Sequence, residues 1–146
     1  MEKINFIKMH GLGNDFVVID KRLNDINISD DLIKKLSDRK SGAGCDQLIT
    51  INPSLNLGYD VGIKIFNPSG DKAEACGNGT RCVAKLIFEE TNKNSLNIKS
   101  DAGILHAKKK GENISVNLGK CFTDWEKIPL TKKIDTLNMP IKIENF

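Results

Sequence analysis

Apolar and polar positions change period several times along the chain, and each change marks an element. Residues 3–9 and 16–20 predict two strands joined by a glycine-containing turn, His10-Gly11-Leu12-Gly13-Asn14. Ser29 is placed to cap a short helix. Asp30 and Asp31 fall in its first turn, where carboxylates suit the helix dipole, and Leu32, Ile33 and Leu36 mark one face to about Arg39. Residues 41–44 read as a loop, residues 46–51 as a strand, and the alternation of Val61, Ile63 and Ile65 as another strand. The composition of Asn67-Pro68-Ser69-Gly70 is that of a turn. Further on, Leu96/Ile98, residues 104–107 and Ile114/Val116/Leu118 predict three short strands, separated by hairpin loops at residues 101–103 and 110–113.

Residues 77–90 behave differently. They read as a helix, and from Cys82 to Phe88 only Lys85 is polar. A helix apolar nearly all round must be buried on most sides, so Leu86 is expected to be fully covered. With strands before and after it, the expected fold is α+β: a curved, mostly antiparallel sheet wrapped around one central helix. Residues 1–120 form the lobe. Residues 121–146, with Trp125, Pro129 and Pro140, read as a linker or as the start of a second lobe.

Composition narrows the function classes. The 146 residues are 39% hydrophobic, 28% charged and 5% aromatic, with a formal net charge of +3. Ile, Leu and Val must therefore supply the core. Lys108-Lys109-Lys110 runs into Gly111-Glu112-Asn113 and reads as a solvated hairpin tip, not a nucleic-acid stripe. No apolar run approaches the roughly 20 residues of a membrane span. The alternating N-terminus has no long apolar signal region. A cytoplasmic location is expected, with no membrane or nucleic-acid partner. Cys45, Cys76, Cys82 and Cys121 are then expected as thiols. Neither they nor His10 and His106 have zinc-ligand spacing.

Among the thiols, Cys76 is singled out by its neighbours. It immediately precedes the buried helix, and Gly77 and Gly79 leave the backbone bare there. The first turn of a helix offers free N–H groups and the positive end of the dipole, an anion site. Such an environment also favours the thiolate of a cysteine. The first turn would hold a carboxylate while Cys76 accepts a proton. The alternative for any lone cysteine is a small buried apolar residue. That reading is taken for Cys82, deep in the apolar stretch. Cys45 and Cys121 have no evident basic partner.

Three blocks carry a family resemblance. Residues 8–20 (KMHGLGNDFVVID) resemble the opening signature of diaminopimelate epimerases. Residues 66–82 (FNPSGDKAEACGNGTRC) resemble that family's active-site segment. Residues 42–48 (GAGCDQL) fall between them in the expected order, and Ser100-Asp101-Ala102-Gly103 corresponds to a later strand-turn. The resemblance covers about residues 1–130, and family members run to about twice this length. It implies a diaminopimelate-epimerase-like lobe that acts on LL-diaminopimelate to give the meso isomer, without pyridoxal phosphate, metal or other cofactor. It further implies two thiols on opposite faces of the α-carbon. Cys76 matches the first-half catalytic cysteine. Asn14, Gln47 and Asn67 match substrate-binding positions, and Gly77 and Asn78 match contacts to the substrate carboxylate. The donors would lie where charge grows on the carboxylate, with a base on one face.

Other matched residues are read as structural. Gly11, Gly13 and Gly103 are expected to allow turns of positive φ, and His10 is read as a hydrogen-bonding structural residue. Two departures stand out. Ser69 takes a place where the family commonly has aspartate, and Cys45 one where it has varied apolar residues. Nothing in residues 121–146 resembles the family's second half, which carries the opposing cysteine and the arginine for the distal carboxylate. The chain is therefore expected to need a second lobe, with a homodimer as one possible assembly, and to be inactive alone. The alternatives are a non-catalytic remnant, a small amino-acid-binding lobe, or a related racemase free of pyridoxal phosphate, as in proline racemases. Phenazine-biosynthesis-type isomerases share the fold but place an acidic residue where Cys76 stands.

Overall fold

The computed structural model describes residues 3–55 and 58–140; the end of the expected linker, residues 141–146, lies outside the described residues. In chain order the elements are β1 (Ile7–Gly11), β2 (Asn14–Asp20), α1 (Asp30–Ser37), β3 (Gln47–Asn52), β4 (Val61–Phe66) and β5 (Lys72–Ala73). Then follow α2 (Gly77–Thr91), β6 (Ser95–Ser100), β7 (Gly103–Lys110), β8 (Asn113–Asn117) and a 3₁₀ turn, Trp125–Lys127. The strands form one sheet in the order β1-β2-β3-β4-β6-β7-β8, with β5 paired beside β4. Two pairings, β2/β3 and β4/β6, are parallel; the others are antiparallel.

The two end strands of this order, β1 and β8, both contact α2. A sheet whose opposite edges touch one helix must curl around it, so the expected α+β lobe with a central helix is the observed fold. Phe16, Val18, Ile49, Ile51, Ile63 and Ile65 point inward and pack on Val83, Ile87 and Phe88 of α2. Full burial of one such side chain contributes about 1.5–3 kcal/mol. One side of the helix stays open: Lys85, Glu89 and Glu90 are exposed and Leu86 is only partly covered. The expectation of complete burial at Leu86 is thus corrected, because the curled sheet does not close over that side.

A second, outer core was not legible from the alternation. Val17, Ile19 and Leu48 point away from α2 and pack on Ile33 of α1 and on Cys45. This is why β2 reads as an uninterrupted apolar run: both its faces are covered. Ser29 caps α1, its hydroxyl accepting from the Leu32 N–H at 3.3 Å. The helix ends at Ser37, two residues before the expected limit.

The first hairpin also departs from expectation. Strand β1 starts at Ile7 instead of Lys3 and runs on to Gly11, and the turn is only Leu12-Gly13, with φ of 55° and 87°. Positive φ at both central residues is the two-residue turn whose twist matches its strands. Gly103 also has positive φ, at 124°. Gly11 does not. A Cβ there would lie 3.4 Å from the Asn78 Cβ and carbonyl oxygen, so Gly11 serves the close approach of β1 to α2.

Candidate functional site

The site follows from strand parity. Side chains alternate between faces. Phe16 and Val18 of β2, Ile49 and Ile51 of β3, and Ile63 and Ile65 of β4 face α2. Two residues beyond each set lie Asn14, Gln47 and Asn67, on the same face. Strand β3 is parallel to β2 and antiparallel to β4. The start of β2, the start of β3 and the end of β4 therefore meet at one end of the sheet. The three polar residues form a staggered row there: Gln47 is level with Asn67, and Asn14 lies two residues further out along β2.

Hydrogen bonds fix how the row is oriented. The Asn67 Nδ2 donates to Asp71 Oδ2 at 2.6 Å. A carboxylate only accepts, so Asn67 must turn Oδ1 the other way. That oxygen accepts from Gln47 Nε2 at 3.1 Å. Gln47 is then left with Oε1 free. Both Gln47 Oε1 and Asn14 Oδ1 are buried without a hydrogen-bond partner among the described residues. Leaving such a group unpaired costs about 1–3 kcal/mol. Ser69 donates to Asp71 as well, and these two bonds hold the Asp71 carboxyl below its ordinary range. Ser69, the departure from the family pattern, thus anchors the residue that orients Asn67.

The N-terminus of α2 meets this same end of the sheet. Cys76 is the N-cap, with extended backbone (φ −145°, ψ 109°), and its Sγ accepts from the Gly79 N–H at 3.4 Å. The sulfur is half-buried. Gly79 allows the close seat: a Cβ there would lie 2.6 Å from Ile49 Cδ1 and 3.3 Å from Phe16 Cε1. Those two core residues adjoin Gln47 and Asn14 in parity. The N–H groups of Gly77 and Asn78 open the helix and have no carbonyl one turn earlier to bind. Asn78 Oδ1 accepts from Arg81 Nη2. Arginine has donors only, so the Asn78 amide is held with its NH₂ directed elsewhere. The Ala102 N–H donates to the Glu74 carbonyl at 3.3 Å and brings the β6–β7 turn beside the Cys76 segment.

The other candidates separate clearly. Cys82 is buried, and burial pushes its thiol up. Cys45 is buried, with Sγ 3.5 Å from Ser37 Oγ, and Cys121 is exposed. His10 is exposed, and its ring makes no hydrogen bond among the described residues, which corrects its reading as a structural hydrogen-bonding residue. It lines a groove with Gly11, Asn78, Arg81 and Glu112, on the side of α2 that the sheet leaves open.

Sequence reasoning missed one group. Asp15 and Asp46 flank Asn14 and Gln47 and bind each other reciprocally. The Asp15 N–H donates to Asp46 Oδ2 at 2.9 Å, and the Asp46 N–H to Asp15 Oδ1 at 3.0 Å. Arg39 bridges them, with Nη2 2.7 Å from Asp15 Oδ1 and 2.8 Å from Asp46 Oδ1. Lys8 Nζ adds an ion pair to Asp15 at 2.7 Å. Adjacency to Asn14 and Gln47, within the motif blocks at residues 8–20 and 42–48, was the available signal for the two aspartates. Arg81 was passed over in the same way, although it stands inside the family's active-site segment.

The fold recurs in other solved structures. The chain aligns with a Bacillus anthracis phenazine biosynthesis protein of the PhzF family at TM-score 0.58 and 19% identity, covering 80% of this chain and 40% of that one. A methylitaconate-delta-isomerase aligns at TM-score 0.59 and 16% identity, covering 74% and 35%. A hydroxyproline epimerase from Agrobacterium vitis aligns at 0.57 and 12%, covering 76% and 40%. At these identities the likeness defines the architecture alone, one lobe of the PhzF and diaminopimelate-epimerase-like fold.

The family follows from sequence. The family described as Diaminopimelate epimerase matches residues 6–123, and the chain belongs to that family. It is 43% identical to the diaminopimelate epimerase of Gluconobacter oxydans over 138 residues, which is 94% of this chain and 52% of that protein. It is 43% identical to that of Pelagibacter ubique over 141 residues, covering 96% and 50%. The chain spans about half the length of the curated relatives it matches.

Proposed function

We propose that this chain supplies one half of the active site of a cofactor-independent diaminopimelate epimerase, with Cys76 as one of two acid/base thiols. Residues 1–120 are the lobe, and residues 121–146 lead toward a second lobe that carries the opposing acid. One observation carries the reading: the buried, unpartnered acceptors Asn14 Oδ1 and Gln47 Oε1 line the same end of the sheet as a helix N-terminus capped by a thiol. Unpaired acceptors call for an ammonium donor. Free helix N–H groups call for a carboxylate. An amino acid carries both, and diaminopimelate carries two of each.

The chemistry follows from that arrangement. Gly77 and Asn78 bind the α-carboxylate and stabilise the charge that grows on it as the α-proton leaves. Cys76, as thiolate, takes the proton on its face. Inversion requires a second group to deliver a proton from the opposite face. Cys82 cannot do so: it is buried within α2 and lies about 9 Å along the axis from Cys76 at 1.5 Å per residue. The chain alone should therefore exchange the α-proton slowly with retained configuration, since a single thiol removes it and returns a solvent deuteron to the same face.

The test is incubation of LL-diaminopimelate with the purified chain in D₂O, followed by proton NMR and chiral separation. Exchange without inversion, abolished in Cys76→Ala, is expected. Robust conversion to the meso isomer would refute the half-site reading. Absence of both exchange and binding would favour a non-catalytic remnant.

A further inference from the structure

The parallel pairing of β2 with β3 leaves its register weakly specified by apolar burial. No tight turn can join parallel strands, and the hydrophobic pattern fixes register only where one face is polar. A slip of one residue carries every side chain to the other face. Here both faces of both strands are buried and almost wholly apolar: Phe16, Val17, Val18 and Ile19 are all buried, as are Leu48, Ile49 and Ile51, beside the buried polar Thr50. Apolar burial therefore discriminates poorly between the observed register, Phe16 opposite Gln47, and its neighbours. A slip would swing Gln47 out of the row with Asn14 and Asn67.

We propose that Arg39, acting through Asp15 and Asp46, is a positioning residue that locks this register and so holds Asn14 and Gln47 on the site face. Asp15 and Asp46 stand immediately before the first registered pair. Their reciprocal side-chain-to-amide bonds form only when the two residues are level. Arg39 spans both carboxylates and reaches both oxygens of Asp15, a two-point geometry that lysine cannot reproduce. The arginine leaves α1 for this purpose just after the helix ends, from the loop that leads into β3. Its side chain is 57% exposed, and exposed ion pairs add little stability. The effect is therefore on alignment more than on overall folding. The consequence for substrate rests on the site proposed above; the register itself does not.

The experiment compares the full chain with Arg39→Met, Arg39→Lys and Asp46→Asn by ¹⁵N NMR. In Arg39→Met, the Asp15 and Asp46 amides should exchange about tenfold faster, and the Asn14 and Gln47 side-chain amide resonances should move. The Leu96 and Ala107 amides, on β6 and β7, should not change. Arg39→Lys should fall between wild type and Arg39→Met. Asp46→Asn gives the same readout from the other strand should the arginine variants fold poorly. Unchanged exchange at Asp15 and Asp46, or equal acceleration at Leu96 and Ala107, overturns the proposal. A diaminopimelate titration of each protein tests the link to substrate independently. If wild-type resonances at Gly77 and Gln47 do not respond, the substrate reading falls while exchange still decides the role of Arg39. If they respond and Arg39→Met leaves the Gln47 response intact, positioning for substrate is refuted.

Discussion

Gln47 donates from its amide nitrogen to Asn67 Oδ1 across 3.1 Å and is left with a buried carbonyl oxygen that no group among the described residues satisfies. The direction of this bond is set two steps away, by the Asp71 carboxylate that takes the Asn67 nitrogen. An acceptor kept in this way costs stability until a donor arrives.

Gln47→Leu separates the two roles. It removes an unpaired buried acceptor, which costs about 1–3 kcal/mol, and a hydrogen bond contributing about 0.5–1.5 kcal/mol. The effects oppose, so urea denaturation should show a net change between a loss of about 0.5 kcal/mol and a gain of about 2.5 kcal/mol. Diaminopimelate binding, followed by NMR titration, should weaken about tenfold or more, as when a charge-assisted hydrogen bond is lost. A large loss of stability with binding preserved would mean that Gln47 serves the fold.

Thiol accessibility orders the cysteines. Cys45 and Cys82 are buried, Cys76 is half-buried and Cys121 is exposed. Iodoacetamide near neutral pH should label Cys76 and Cys121 and spare the other two until the chain unfolds. Diaminopimelate should slow labelling at Cys76 alone. Peptide mapping over time reads all four sites, and faster labelling at Cys82 would contradict the packing of α2.

The central helix makes a stability prediction. Ile87 is 2% exposed, so Ile87→Ala should cost about 2–5 kcal/mol. Leu86 is only partly covered, and Leu86→Ala should cost clearly less. Equal losses in chemical denaturation would mean that the sheet closes over the Leu86 side as well.

Acid should weaken the lobe through Asp15. The Arg39 guanidinium, aided by Lys8, holds this carboxyl well below its ordinary value of 3.8. A carboxyl lowered in the folded state contributes stability above its unfolded pKa, and that contribution is lost as pH falls through the folded value. Stability should therefore decline below about pH 4. The decline should be shallower in Asp15→Asn, and shallower for the wild type in high salt, which screens these exposed charges. Urea midpoints at pH 5.5 and pH 3 measure the difference.

The apolar periods, the Ser29 cap and the glycines around Cys76 determined most of the elements, because each is a local signal carried by neighbouring residues. The stretch from Cys82 to Phe88, polar only at Lys85, with strands before and after it, was enough to predict a helix enclosed by a curved sheet. Motif likeness pointed to Cys76, Asn14, Gln47, Asn67, Gly77 and Asn78. Local signals did not predict that the hairpin turn would shrink to Leu12-Gly13, or that β5 would form from two residues.

Tertiary structure alone decided what brings the site together. Asn14, Gln47 and Asn67 come to one end of the sheet only after one parallel and one antiparallel pairing, and strand order is a long-range choice that no local period encodes. Whether Leu86 is covered depended on how far the sheet curls. That Gln47 keeps an empty acceptor depended on Asp71, and that it faces the site depended on a bridge from Arg39. Hydrogen bonds between residues distant in sequence follow from chain topology, so they become readable only once the strands are paired.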